Sequence, residues 1–281
     1  MILSILSVSG CFGEKNQTTT TKGDITKEDI VAFEKKRISL GTSLDVRNIS
    51  LFLEQKLQID GWTAYVLSLE LKQDENEFET KDILFSDGKV IATELFDHKT
   101  SRSFKDSIEV TVPKELYKDD HLIAGNKDAK HKVVLFSDPL CPFCIEYVPE
   151  IITYAKNNPK LISLYYYHFP LTNIHPASIT LAQAMIKLKE ENKIKDLETK
   201  TYQAKFENSF DPRETDPQKI IEAFNKAVGS NLTTKDIDTK EIQDEIKKDM
   251  QIASDALVSG TPTIFIDGKL DKTRDLYKKL K

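Results

Sequence analysis

Cysteine is nearly absent from this sequence: Cys11, Cys141 and Cys144 are the only three in 281 residues, too few for the disulfide framework of a small secreted domain. The apolar start, Met1 to Gly10, falls short of the ~20 residues needed to span a membrane. No glycine-rich phosphate loop occurs among the ten glycines, which argues against a nucleotide site. The 40 basic and 45 acidic residues are spread along the chain, so its net charge of -5 bears on solubility, and no basic stripe offers itself to nucleic acid. No internal repeat is visible. A second cysteine pair is also missing, and His131, His168 and His175 lack ligand spacing, so the Cys141–Cys144 pair has no partners for a four-ligand zinc site. Neither a metal nor an organic cofactor is therefore expected.

What is present is a globular balance, 39% hydrophobic and 30% charged, in a length suited to two domains. Residues 1–23 read as an export signal and tether. Val8-Ser9-Gly10-Cys11 resembles the lipobox of bacterial lipoproteins, which implies lipidation at Cys11, and Gln17 to Lys22 follows as a polar tether. No Lys or Arg precedes Cys11, the first being Lys15, a departure from the usual basic start of such signals.

Thr26 and Asp29 form a capping box ahead of a helix carrying Ile30, Val31, Phe33 and Ile38, which Gly41 stops. Trp62 to Leu71 alternates as a half-buried strand, with Tyr65, Leu67, Leu69 and Leu71 on one face. Two more runs, Asp82 to Phe85 and Lys89 to Phe96, join through Asp87-Gly88, a strong hairpin signal. Residues 24–111 are thus expected to be a small α+β domain whose open sheet edges suit dimerisation. The polar stretch 112–130 reads as a linker. Residues 131–281 begin a second fold: strand 133–136, a helix from Cys141 to about Lys156 and strand 161–169 make a parallel βαβ unit. A helical region over about 176–257 follows, then strand 263–266, a turn at Asp267-Gly268 and a short helix from Arg274 to Leu280.

Cys141-Pro142-Phe143-Cys144 sits directly after a strand and opens a helix. The free N–H groups and positive dipole end there stabilise a thiolate, so the Cys141 pKa is expected to fall below the free value of ~8.5. Cys144, one turn on, is placed to resolve a mixed disulfide. Two buried structural cysteines, and half of a zinc site, are the competing readings. His168 and His175 read as structural, and Tyr165, Tyr166 and Tyr167 as core and sheet-face residues.

FSDPLCPFC, HFPL at 168–171, His175-Pro176 and GTPT at 260–263 together resemble the Dsb family of bacterial periplasmic disulfide proteins, in the DsbC/DsbG layout that adds an N-terminal dimerisation domain. The resemblance implies a thioredoxin-fold catalytic domain with a helical insertion. It also implies Cys141 as nucleophile, Cys144 as resolving thiol, Pro142 and Phe143 as redox-tuning residues, and Thr261-Pro262 as a cis-proline turn that aligns the substrate chain. Phe143 replaces the histidine, and Thr261 the valine, of the family's strong oxidants. The expected activity is therefore disulfide isomerisation or reduction on exported cysteine-containing proteins, in a periplasmic homodimer served by a membrane redox partner. A DsbA-like oxidase, and a chaperone-like module for unfolded chains, are the alternatives.

Overall fold

The computed structural model describes residues 24–281 except 75, 192 and 193. The signal, tether and lipidation readings, Cys11 included, lie outside the described residues. No helix among the described residues is long and apolar enough to cross a membrane.

Thr26 caps α1 (Lys27–Gly41): its hydroxyl accepts the Asp29 N–H at 3.2 Å while the Asp29 carboxylate accepts the Thr26 N–H at 2.9 Å. Ile30, Glu34 and Ile38, spaced four apart, form the buried stripe. Phe33, expected on that face, is 36% exposed because it lies about 100° from the stripe's centre at 3.6 residues per turn. Glu34 survives burial because Arg37 grips both its oxygens, at 2.7 and 2.6 Å, and also bonds Asp82.

Strands β1 (Asp45–Lys56), β2 (Thr63–Gln73), β3 (Asn76–Ser86) and β4 (Ile91–Ala92) form an antiparallel sheet in sequence order. Helix α1 covers one face, Ile30 meeting Leu67 and Leu84, and Ile38 meeting Leu69 and Leu71. Strand β2 is not half-buried as its alternation suggests: Ala64 and Val66, on the opposite face, are fully buried against Phe85 and Ile108. The Lys89–Phe96 run contributes only Ile91 and Ala92 to the sheet, since the chain leaves it to make a bridge between Phe96 and Ser103. The Asp87-Gly88 turn forms, with Gly88 at φ 89° and the Asp87 carboxylate accepting two backbone N–H groups.

Strand β5 (Leu122–Gly125) falls inside the stretch read as a linker, which corrects that reading. It pairs antiparallel with β7, and Gly125, at φ 81°, lies so close to the Ile162 carbonyl that a Cβ there would sit 1.8 Å from its oxygen. Then come β6 (His131–Ser137), α2 (Pro142–Asn157) and β7 (Ile162–His168), a parallel βαβ unit. Five helices follow: α3 (Ala177–Glu191), α4 (Leu197–Gln203), α5 (Pro217–Val228), α6 (Thr234–Ile237) and α7 (Lys240–Asp255). Strands β8 (Thr263–Ile266) and β9 (Lys269–Leu270) complete a sheet ordered β5-β7-β6-β8-β9. The last helix is a single 3-10 turn, Leu276–Lys279, shorter than the Arg274–Leu280 expected.

Strand β6 is apolar without interruption because both of its faces are covered. Val133 and Leu135 pack with Val148, Ile151 and Ile152 of α2, whereas Val134 and Phe136 pack with Phe265 and Ala253 on the other side. Each such side chain removed from water contributes roughly 1.5–3 kcal/mol. The two sheets are joined by Lys81 of β3, whose side chain is 5% exposed and bonds Asp255 at the end of α7 at 2.8 Å. Leu257 inserts beside Ala64 and Val66, and the Val112 N–H donates to the Gly268 carbonyl at 2.9 Å.

Candidate active site

The loop after β6 sets the site. Asp138, fully buried, accepts the Leu140 N–H at 2.7 Å, the Leu171 N–H at 2.9 Å and the Ser178 hydroxyl at 2.6 Å, and it pairs with His175 Nδ1 at 3.1 Å. One carboxylate therefore ties the end of β6 to the loop after β7 and to α3. The Asp138 carbonyl also accepts the Cys141 N–H, at 3.1 Å, delivering Cys141 to the N-cap of α2. Pro142 takes the first helical position, where its missing N–H leaves no bond unmade. Phe143 is 68% exposed beside the pair.

Cys141 and Cys144 are both free thiols, 5% and 0% exposed. The Cys144 thiol acts first on the Cys141 sulfur, the nearby Thr261 hydroxyl and the backbone N–H groups of Cys144 and Phe143 add to it, and together they outweigh its burial, holding its pKa at about 5. Burial acts first on Cys144 and its neighbour's sulfur second, so its thiol is pushed far up. The two sulfurs thus have unequal roles available: Cys141, at the helix start, is favoured as the thiolate, and Cys144, fully enclosed, as the thiol.

Thr261 and Pro262 are joined by a cis peptide bond facing this pair. The Cys141 sulfur lies 3.4 Å from the Thr261 carbonyl oxygen. The Thr261 hydroxyl is buried and makes no hydrogen bond, and it lies close enough to favour ionisation of both sulfurs. Strand β9 pairs only with Phe265 and Ile266, leaving the backbone at 261–263 beyond the ladder. A cleft of about 740 Å³ opens there, between Asp97, Arg102 and Phe104 of the first unit and Pro262, Leu270 and Asp271 of the second.

Sequence reasoning misses one part of the site. The Ser137 hydroxyl, at the end of β6, favours ionisation of Cys144 and accepts a hydrogen bond from Tyr202 at 2.7 Å, and Tyr202 meets Tyr166 at 2.8 Å. This buried hydroxyl chain runs from the sulfur into the helical insertion. A serine closing an apolar strand just before CPFC is a legible signal; Tyr202, supplied from α4, has none. His168 and His175 are both buried or nearly so; His175 pairs with Asp138 through its ring, whereas His168 donates its backbone N–H to Asp249. No third ligand-type side chain joins the two sulfurs among the described residues.

No curated protein matches the chain. Similar solved structures include the catalytic domain of Proteus mirabilis ScsC, 24% identical over 58% of this chain and 90% of that one, with a TM-score of 0.44. BdbD from Bacillus subtilis, in its oxidised form, is 17% identical over 61% of this chain and 92% of that one, at a TM-score of 0.47. A thioredoxin-like oxidoreductase from Silicibacter pomeroyi DSS-3 is 19% identical over 55% and 85%, at 0.45. A family model described as Thioredoxin matches residues 118–281, beginning just ahead of β5. That match takes in more than half of the chain, CPFC and the Thr261-Pro262 turn included, and the chain belongs to the thioredoxin family.

Proposed function

We infer that this chain is a thiol:disulfide oxidoreductase for exported proteins, with Cys141 as nucleophile and Cys144 as resolving thiol. The observation that carries this reading is the unequal pair: a Cys141 thiolate stabilised to a pKa of about 5 beside an enclosed Cys144 thiol. The Cys141 thiolate attacks one sulfur of a substrate disulfide, forming a mixed disulfide and expelling a substrate thiolate. Cys144 then loses its proton and attacks Cys141. The second substrate thiolate leaves, and the pair has passed two electrons to the substrate. If a substrate thiol attacks the mixed disulfide first, Cys141 is released unchanged and the substrate has been isomerised.

Thr261 and Phe143 support isomerisation or reduction, because neither matches the strong oxidants that the motifs resemble. The oxidase reading has support of its own: stabilising the Cys141 thiolate stabilises the dithiol form, which makes the disulfide form more oxidising. The side of the 261–263 backbone that β9 does not cover, at the mouth of the cleft, suits pairing with an extended substrate chain. Strand β1 is an edge strand of its sheet and carries Phe52, 41% exposed, which supports assignment of dimerisation to this unit. A periplasmic, lipid-anchored location and a membrane redox partner rest on the sequence of residues 1–23 and on the family resemblance.

Thiol trapping in intact cells separates the directions: free Cys141 and Cys144 are expected for an isomerase or reductase, and a disulfide between them for an oxidase. Purified chain should restore activity to a scrambled-disulfide protein, and Cys141→Ser should abolish this. Full biological activity in Cys141→Ser overturns the enzyme reading and favours a binding module.

A further inference from the structure

Away from the cysteines, a cleft of about 490 Å³ separates the segment entering β5 from helix α7. His121 lies on its wall, 4% exposed, with its ring stacked on Tyr167 at 4.2 Å. Its Nδ1 is 2.9 Å from the Asp120 carboxylate, and its Nε2 is 3.3 Å from Asp249 and 3.6 Å from Glu245. Glu245 and Asp249 stand four apart on α7, so both project to the same side. Asp249 is 1% exposed, and its second oxygen is fixed by the His168 N–H at 2.8 Å.

The His121 ring turns Nε2 toward two carboxylates and Nδ1 toward a third. A divalent cation held between Nε2 and the Glu245 and Asp249 carboxylates suits this geometry. Ligand atoms held at about 2.0–2.2 Å around a tetrahedral zinc ion are about 3.3–3.6 Å apart. The Nε2 to carboxylate separations are 3.3 and 3.6 Å, and the three ligand atoms lie within 4.8 Å of one another. The Asp120 contact at Nδ1 is the carboxylate–histidine pairing that orients an imidazole ligand.

A second, independent observation lies at the same cleft. His168 lines it, is 5% exposed, and its Nδ1 is buried without any hydrogen-bond partner. An unpaired imidazole nitrogen in such a place is costly unless something occupies the space before it. Six carboxylate residues and two lysines line the cleft, so its field also favours a cation.

We propose that His121, Glu245 and Asp249 form a binding site for a zinc-class divalent cation, with the His168 imidazole beside it. Nitrogen donors mixed with carboxylates select a borderline metal over calcium or magnesium. The ion would fasten α7 of the helical insertion to the segment that leads into the sheet, independently of the thiol chemistry.

The test uses the full chain with Cys11, Cys141 and Cys144 changed to serine, so that no thiol remains to bind metal. After exposure to zinc and gel filtration, this chain should keep one zinc per molecule, with a raised unfolding temperature. His121→Ala should lose the zinc and the rise. Glu245→Gln, which alters a side chain 33% exposed and leaves Asp249 in place, should weaken binding by roughly tenfold or more while circular dichroism stays unchanged. No retained zinc in the parent, or equal retention in Glu245→Gln, overturns the site. Calcium binding in preference to zinc overturns the assignment of metal class.

Discussion

Thr261→Val isolates the one hydroxyl that reaches both sulfurs. The substitution keeps the side-chain shape and removes a hydroxyl that makes no hydrogen bond in the dithiol structure and is free to turn toward a thiolate, so no partner is orphaned. A hydrogen bond to a charged group contributes about 1.5–3 kcal/mol, and a pKa unit corresponds to about 1.36 kcal/mol, so the Cys141 pKa should rise by roughly 1–2 units. From a starting value of about 5, the midpoint should move to roughly 6–7. A thiolate of higher pKa is also the stronger nucleophile, by about 0.4–0.5 log units per unit of pKa, so the limiting alkylation rate at high pH should rise about 3- to 10-fold. Ultraviolet thiolate absorbance and iodoacetamide kinetics across pH measure both quantities on one protein. A midpoint within about 0.3 units of the parent, or a fall in the limiting rate, would refute the reasoning that the Thr261 hydroxyl stabilises the Cys141 thiolate.

Because the folded Cys141 pKa is depressed, its contribution to the stability of the dithiol form is complete above the unfolded value of ~8.5 and is lost as pH falls toward about 5. The difference in unfolding temperature between dithiol and disulfide forms should drift toward the disulfide form over that window; a pH-independent difference contradicts the shift. Tyr202→Phe removes the middle of the Ser137–Tyr202–Tyr166 chain, and should cost about 1–3 kcal/mol in urea unfolding while leaving the Cys141 midpoint in place. Asp138→Ala strips four groups of a shared buried acceptor and should cost at least about 3 kcal/mol, read from the same urea curves. A loss under about 1 kcal/mol would mean that the loop is held by other contacts.

Elements with one strong periodicity are legible in the chain, and those shaped by their neighbours are not. The α1 cap, the buried β6 and the α2 start at CPFC follow from local patterns that nothing in the fold contradicts. Strand β1 goes unread because its pairing shifts register between Val46 and Asn48 and again between Leu51 and Leu53, which breaks the alternation that marks a strand. Strand β5 goes unread because four residues between polar flanks carry no period, and its place depends on the backbone approach at Gly125. The cysteine pair is visible in sequence as a spacing. Its inequality depends on Thr261, 120 residues away, and on Ser137 and Tyr202, which only the folded chain brings together.

The cleft between the two sheets is walled by both units. Its far wall, Phe104 with Asp97 and Arg102, belongs to the same chain as the Pro262 edge it faces, and Lys81 anchors the two units to one another through Asp255. On the proposed activity, a client reaching that edge through the cleft would touch both units at once, which suits an extended segment laid along the Pro262 edge. Such a route would favour disulfides in loops and unfolded stretches over bonds already enclosed in a finished fold.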